Sequence, residues 1–562
     1  VGESFMMAGG RNRTREAKVV LPLAALLLAM VCVTQASKFM ATSSDESIVE
    51  TTYGKVQGLV FPGARAFFAV PYAASPSGSS RFLPPVDPPS WGGVRNATAY
   101  GPACPQQCDL PPLTCPEADY SEDCLTADVY TPRLTELQAA GPRPVMIFFP
   151  GGNFKQGGSS TVLYNGNAPA NTTDVVVVVI NYRLGALGFF VNNQLKGNLA
   201  IQDQAQAMKW IQQTISAFGG DPTQVTIYGQ SAGGTSVAAH MVSPSSTGLY
   251  SRAIMESNPI QLGLNTKQEM NEISQRFAAL VDCDVNDVAC LQALDVTTIL
   301  NAQKEAIKIS PAHPLNAFMP WQPYVDGQYI TAQPIPAFRS GQYNHVPFQV
   351  GNVNDEGWIF IFAVFTKPMP KIEYEAIIDA IFLQDAAKVK AMYPVPANET
   401  KDARPTLALL GTDYIWACPT RNVTRSMATY HPVYRYHFDH VFSFNPWGPN
   451  YTYCADKCCH GSELPFVFNS APKGGYPWDA QEAVLAQFIV NNWGSFASSG
   501  NPNSPFPNNV QWTPFTAQSD ADMHFMTPQS QMETGYRKSQ CDFFDSIGYN
   551  HGVGPIFFKG LF

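Results

Sequence analysis

Ser231 stands at the centre of Gly229-Gln230-Ser231-Ala232-Gly233, a Gly-x-Ser-x-Gly sequence. A serine hydroxyl is a weak nucleophile at neutral pH; it needs a base beside it, and the base needs an acid to orient it. The pentapeptide follows Val225-Thr226-Ile227-Tyr228, which reads as a buried strand, and precedes Gly234-Thr235-Ser236-Val237-Ala238-Ala239, which reads as a helix. A tight strand-to-helix turn needs glycines around the serine, because side chains there would clash, and it lifts the hydroxyl above the sheet. The helix N-terminus also favours negative charge developing nearby. Outside such a setting the same residues would be a Gly/Ser-rich turn without chemistry. In this arrangement an acid and then a histidine follow the nucleophile along the chain. Candidate bases are His345, His431, His437, His440, His460 and His524. His437 and His440 fall in a strand pattern, which suits a structural role, whereas His460 lies in a loop, where catalytic groups are often presented. Asp355 and Glu356 follow a strand pattern and are candidate acids. Residue types alone leave the choice open.

Buried strands and Pro/Gly punctuation must position these groups. Residues 144–149 form a short apolar run that ends at Pro150-Gly151-Gly152. Residues 174–183 are β-branched and apolar on both faces, as expected of a central strand between two layers. Residues 200–218 have helical spacing and end at Gly219-Gly220-Asp221-Pro222. Residues 252–257, 348–353 and 433–440 are further strands, and 479–497 is a late amphipathic helix. Strands alternating with helices predict an α/β architecture, a mostly parallel sheet covered on both faces. No repeat, low-complexity linker or boundary signal follows about residue 40.

Composition narrows the function. The 562 residues carry 35 Lys+Arg and 44 Asp+Glu, a net charge of −9, and only 14% are charged. Average soluble domains carry about 25%. A hydrophobic content of 45% excludes a disordered polyelectrolyte, and the acidic balance argues against a nucleic-acid partner. A chain this long needs no disulfides merely to fold, so 12 cysteines with 46 prolines point to an extracellular globule.

The N-terminus agrees. Arg11, Arg13, Arg15 and Lys18 precede the apolar run 19–33, followed by Thr34-Gln35-Ala36, the pattern of a secretory signal peptide over 1–36. The run is too short for a typical membrane span; retention as an anchor is the alternative. Met6 and Met7 are candidate translation starts, which would leave residues 1–5 untranslated. The C-terminal residues carry neither a retention signal nor a lipid-anchor tail, so secretion or a secretory-pathway lumen is expected. Asn96, Asn171, Asn398, Asn422 and Asn450 each head an Asn-x-Ser/Thr acceptor.

Glu122-Asp123-Cys124-Leu125 with Ala127-Asp128-Val129-Tyr130, Asn181-Tyr182-Arg183-Leu184-Gly185 and Asp203-Gln204 with Phe218-Gly219-Gly220-Asp221-Pro222 form an ordered series. Gly229-Gln230-Ser231-Ala232-Gly233-Gly234, Asn354-Asp355-Glu356-Gly357 and His460-Gly461-Ser462-Glu463-Leu464-Pro465-Phe466 continue it. From about Ser47 to Phe544 the chain resembles the type-B carboxylesterases, the carboxylesterase/lipase/cholinesterase group of the α/β-hydrolase fold. The resemblance implies a single α/β-hydrolase domain over 37–562, with Ser231 as nucleophile, His460 as base and Glu356 as orienting acid. Asp355 is then a neighbour in the motif. Ala232 supplies one oxyanion-hole amide by the rule of the turn. The family's glycine segment implies Gly152 and Asn153 for the others, Asn153 departing from the usual small residue.

Two departures bear on substrate. Gln230 stands where cholinesterases carry a glutamate, and the Cys104–Cys124 loop lacks the tryptophan that choline esterases use for cation–π binding. Both favour a neutral ester with a carboxyl group of modest size. Trp321, Trp358, Phe360 and Phe362 are candidates for its pocket, or for the core.

Loss of Cys32 with the leader leaves eleven cysteines. Family position implies Cys104–Cys124, Cys283–Cys290 and Cys418–Cys541, while Cys108 and Cys115 can close a small loop of their own. A Cys-x4-Cys-His-Gly arrangement like that of related esterases implies Cys454–Cys459 and a free Cys458. Zinc at this cluster is disfavoured, since adjacent cysteines diverge and the spacing fits no structural zinc pattern. The expectation is a secreted serine esterase using an acyl-enzyme on a small-molecule ester, without metal or cofactor and with no oligomeric state implied. The alternatives are a catalytically silent adhesion or structural relative, or an interfacial lipase, although no clear amphipathic lid is present.

Overall fold

The computed structural model describes residues 46–307, 318–506, 508 and 510–549; the leader expected over 1–36 lies outside them. From Glu46 onward the chain forms one compact unit. Its centre is an 11-stranded sheet: β1 (Leu59–Val60), β2 (Ala64–Pro71), β3 (Thr126–Pro132), β4 (Arg143–Phe149), β5 (Val176–Ile180), β6 (Gly220–Gln230), β7 (Arg252–Glu256), β8 (Phe348–Val353), β9 (Val433–Phe438), β10 (Ala521–Phe525) and β11 (Gln531–Thr534). In space the order is β11-β10-β9-β8-β7-β6-β4-β5-β3-β2-β1. From β10 through β5 neighbours run parallel, whereas the β11 edge and the β3-β2-β1 edge are antiparallel. A separate three-stranded sheet joins Ile48–Thr51, Gly54–Gln57 and Val94–Asn96.

Why the central strands read as unbroken apolar runs is visible in their two faces. Val145, Ile147 and Phe149 of β4, with Val176, Val178 and Ile180 of β5, belong to one hydrophobic cluster. Met146 and Phe148, with Val177 and Val179, belong to the other. Both faces are covered, so no position is free to be polar. Helices α1 (Leu199–Thr214) and α2 (Ala232–Met241) contribute to the first cluster. The second receives Leu485, Ile489, Trp493 and Phe496 from a later helix, Ala480–Ser499.

Boundaries differ from expectation where local chemistry intervenes. The helix expected over 200–218 tightens to a 3₁₀ turn at Ile215–Phe218 and ends at Gly219, whose φ of 89° only glycine adopts easily. The strand expected over 174–183 is shorter, because Asp174 has φ 52° before it and the Asn181 side chain is turned onto the loops carrying Pro102 and Ser159 after it. The late helix is capped by Asp479, which accepts from the amides of Gln481 and Glu482, and closed by Gly500.

Five disulfides join Cys104–Cys124, Cys108–Cys115, Cys283–Cys290, Cys418–Cys541 and Cys454–Cys459. Cys458 is a buried free thiol that donates to the Phe438 carbonyl at 3.1 Å. Among the described residues no helix is long and apolar enough to cross a membrane. Asn96, Asn171, Asn398 and Asn450 are exposed. Asn422 is half-buried, its amide donating to Asp545 and its carbonyl oxygen accepting from Arg339.

Candidate active site

Ser231 lies between the end of β6 and the start of α2, with φ 59°, a left-handed backbone that a serine adopts only under constraint. The constraint is close packing of main chain. A Cβ on Gly233 would sit 1.9 Å from the Phe149 carbonyl oxygen, and one on Gly229 2.6 Å from the carbonyl carbon of Gly233. Glycine is therefore required at both positions although neither has positive φ. The Ser231 amide donates to Glu256 O at 3.0 Å, tying the turn to the end of β7.

The segment after β4 lies directly against this turn. A Cβ on Gly151 would meet Gln230 O at 2.7 Å and the Ser231 Cβ at 3.2 Å. Gly152 has φ 115° and Asn153 φ 63°. Asparagine is among the few residues that tolerate the left-handed region, which explains how it stands where glycine or alanine is usual. The amides of Gly152, Asn153 and Ala232 donate to no protein acceptor among the described residues.

Glu356 is the first residue of α3 (Glu356–Val364), just beyond β8, and is fully buried. Its Oε1 accepts from the Val353 amide at 3.0 Å, and its Oε2 accepts a short hydrogen bond from His460 Nδ1. The proton on Nδ1 leaves Nε2 with a free pair, the tautomer a general base requires. That pair faces the Gln230 side-chain amide at 3.2 Å. Ser231 Oγ makes no hydrogen bond among the described residues, so a reacting serine has to displace the amide. Phe360 and Trp416 flank the imidazole with ring centroids at 5.0 and 5.7 Å, and their own rings stack at 15°.

Asp355 does something different from its neighbour. Its amide donates to Cys458 O and its Oδ2 accepts from the Cys458 amide, which joins the acid loop to the histidine loop. Burial raises its carboxyl. The remaining candidate bases are engaged elsewhere. His440 lies against Glu482 and Thr527, and Tyr343 bonds His431. His345 donates to Gly341 O, while the His437 and His524 rings lie against each other within the sheet, tilted by 31°.

Two groups went unread in the sequence. Glu256 is fully buried and accepts from Trp493 Nε1 at 2.7 Å; burial pushes its carboxyl up to about 8. Glu463 accepts from Ser257 Oγ and is pushed far up by burial and by the neighbouring Glu356 and Glu256. Both are held toward the neutral acid by burial, and Glu463 also by the like charges beside it. Trp416, on a π-helical turn at Thr412–Ala417, was also missed; its indole donates to Ser257 O. No periodic pattern announces a π turn.

A cavity of about 290 Å³ opens beside Asn153, lined by Leu300, Gln303, Trp321 and, at its polar side, Lys155 and Lys304. Trp321 therefore faces a pocket. Trp358 and Phe362 stack on each other away from it, under Lys457 and Arg404.

Comparison with known proteins places these features in context. A model of the carboxylesterase family matches residues 45–544. The cAMP-regulated D2 protein of Dictyostelium discoideum is 35% identical over 94% of this chain and 98% of its own length. Para-nitrobenzyl esterase of Bacillus subtilis (strain 168) is 34% identical over 81% of this chain and 91% of its own. Among solved structures, a PNB esterase superposes with TM-score 0.76 at 29% identity, covering 89% of this chain and 99% of that one.

Proposed function

The chain belongs to the carboxylesterase family and is a carboxylic ester hydrolase of the α/β-hydrolase fold, and on that premise we propose that Ser231, His460 and Glu356 act as its catalytic triad. His460 Nε2 takes the Ser231 Oγ proton as Oγ adds to the ester carbonyl carbon. Negative charge then moves to the carbonyl oxygen, where the amides of Gly152, Asn153 and Ala232 receive it. The imidazolium gives its proton to the alkoxy oxygen as the C–O bond breaks, and the alcohol departs. Water adds to the acyl-serine with His460 again taking the proton, and collapse releases the carboxylic acid and restores Ser231. Glu356 holds the imidazole tautomer throughout. The observation that carries this reading is the buried Glu356 carboxylate bonded to His460 Nδ1 with a free pair on Nε2.

A neutral ester of modest size suits a cavity at the small end of the roughly 300–1,000 Å³ usual for ligand sites. Passage through an oxidising secretory compartment, with removal of residues 1–36 and glycans on the exposed Asn96, Asn171, Asn398 and Asn450, accords with the five disulfides. Kinetics on a p-nitrophenyl ester series of increasing acyl length test the reading. A burst of one alcohol per chain and a preference for short acyl groups are expected. Full activity of Ser231→Ala would overturn it.

A further inference from the structure

We propose that His437, His524 and Glu533 form a binding site for a zinc-like divalent transition-metal ion, at the sheet edge and apart from the triad. Strict alternation sets the three on one face. Tyr434, Tyr436 and Phe438 of β9, with Met523 and Phe525 of β10, point into the hydrophobic core. Their alternates Arg435, His437, Asp522 and His524 point the other way. His437 pairs directly with His524 across β9 and β10. Gln531 of β11 pairs with His524, so Glu533, two residues on, shares that face.

The donor atoms already converge. Glu533 Oε2 lies 3.1 Å from His524 Nδ1 and 3.5 Å from His437 Nε2, and one donor atom from each residue lies within 4.8 Å of the others. A tetrahedral zinc with bonds of 2.0–2.2 Å has ligand-to-ligand edges of about 3.4 Å, so little movement is needed. Asp439 Oδ2 faces the other ring nitrogen, 3.7 Å from His524 Nε2, and is not one of the three convergent donors. Among the described residues, both ring nitrogens of His524 and Nδ1 of His437 are buried without a hydrogen-bond partner. Buried polar atoms are rarely left so, because each costs about 1–3 kcal/mol. The Glu533 contacts therefore have the proximity of shared ligands without the geometry of hydrogen bonds.

His437 is buried, beside the guanidinium groups of Arg435 and Arg537. Those cations are themselves paired, Arg435 with Asp520 and Asp522 and Arg537 with Asp413. Tyr536 stacks flat on the His437 ring at 3.8 Å, fixing its plane, and its hydroxyl donates to Asn354 beside the acid loop. Two histidines and a carboxylate are a donor set that zinc accepts with water completing it. The sequence had suggested no metal, because the three residues are far apart in the chain and fit no spacing motif.

Calorimetric titration of the chelator-stripped full chain with Zn²⁺, with Co²⁺ as a spectroscopic probe, tests the site. One Zn²⁺ per chain is expected, with tetrahedral Co²⁺ bands lacking thiolate charge transfer. His524→Gln and Glu533→Gln should each weaken binding by at least about tenfold, the least that loss of a supporting outer-shell group costs. Ser231→Ala should bind as the wild type does. Glu533 is 40% exposed, so Glu533→Gln reads the site even if His524→Gln does not fold. No saturable binding, equal affinity in Glu533→Gln, or a thiolate band pointing to Cys458 would overturn the proposal.

Discussion

The proposed nucleophile and its proposed base are held in place by opposite means. Around Ser231 main chain touches main chain: β4, the turn and β7 approach so closely that Gly229 and Gly233 exclude even a methyl group. Around His460 the chain is loop, and position comes from cross-links. The Cys454–Cys459 disulfide lies just before it, Asp355 grips the Cys458 backbone, and Glu356 holds the ring. A rigid half needs no specific side chains, whereas a tethered half fails in steps as its tethers are cut. Errors in the first should be all-or-none, and errors in the second graded.

The largest effect falls on the packed half. Gly233→Ala places a methyl group 1.9 Å from a main-chain oxygen, and overpacking that cannot relax costs about 3 kcal/mol or more. Loss of soluble, cooperatively melting protein is expected in expression and thermal-melt assays; a stable, active variant would break the contrast. Glu356→Gln comes next. It keeps the shape but allows the wrong imidazole tautomer, so kcat/KM should fall about 10⁴-fold while the melting temperature stays close to wild type.

Cutting the disulfide should do less. The Cys454→Ser/Cys459→Ser pair removes a loop of sequence separation 5, worth about 2 kcal/mol by chain entropy. Loosened placement of His460 should lower kcat/KM by about 10- to 100-fold, read in ester kinetics. A pH effect tests the carboxyl groups where the two halves meet. Because folding raises Glu256 from 4.5 to about 8, its contribution is full below about pH 4.5 and is lost as pH rises through 8. Glu256→Gln, which still accepts from Trp493, should flatten the fall of melting temperature between about pH 5 and about pH 8.

The same contrast governs what the sequence reveals. Residues 348–353 and the apolar runs of β4 and β5 are legible because burial on both faces leaves no other reading. The Ser231 turn is legible because steric exclusion writes glycine at fixed spacing. His460 is not: it meets Glu356 at a sequence separation of 104, and residue types left several histidines open until the family motif chose one. Gln230 facing that histidine, Trp416 beside it and the buried Glu256 and Glu463 arise from tertiary proximity and have no local signature. The strand Ala64–Pro71 escaped for a different reason. A register shift between Phe67 and Val70, with Ala69 at φ 51°, breaks the alternation that would mark it.

The central claim is that Ser231 is the activated nucleophile. Incubating the intact chain with a fluorophosphonate and mapping the adduct by peptide mass spectrometry tests it directly. One equivalent on Ser231, abolished in His460→Ala and slowed in Glu356→Gln, is the predicted result. Adduct at another residue, or none from a folded chain, would contradict it.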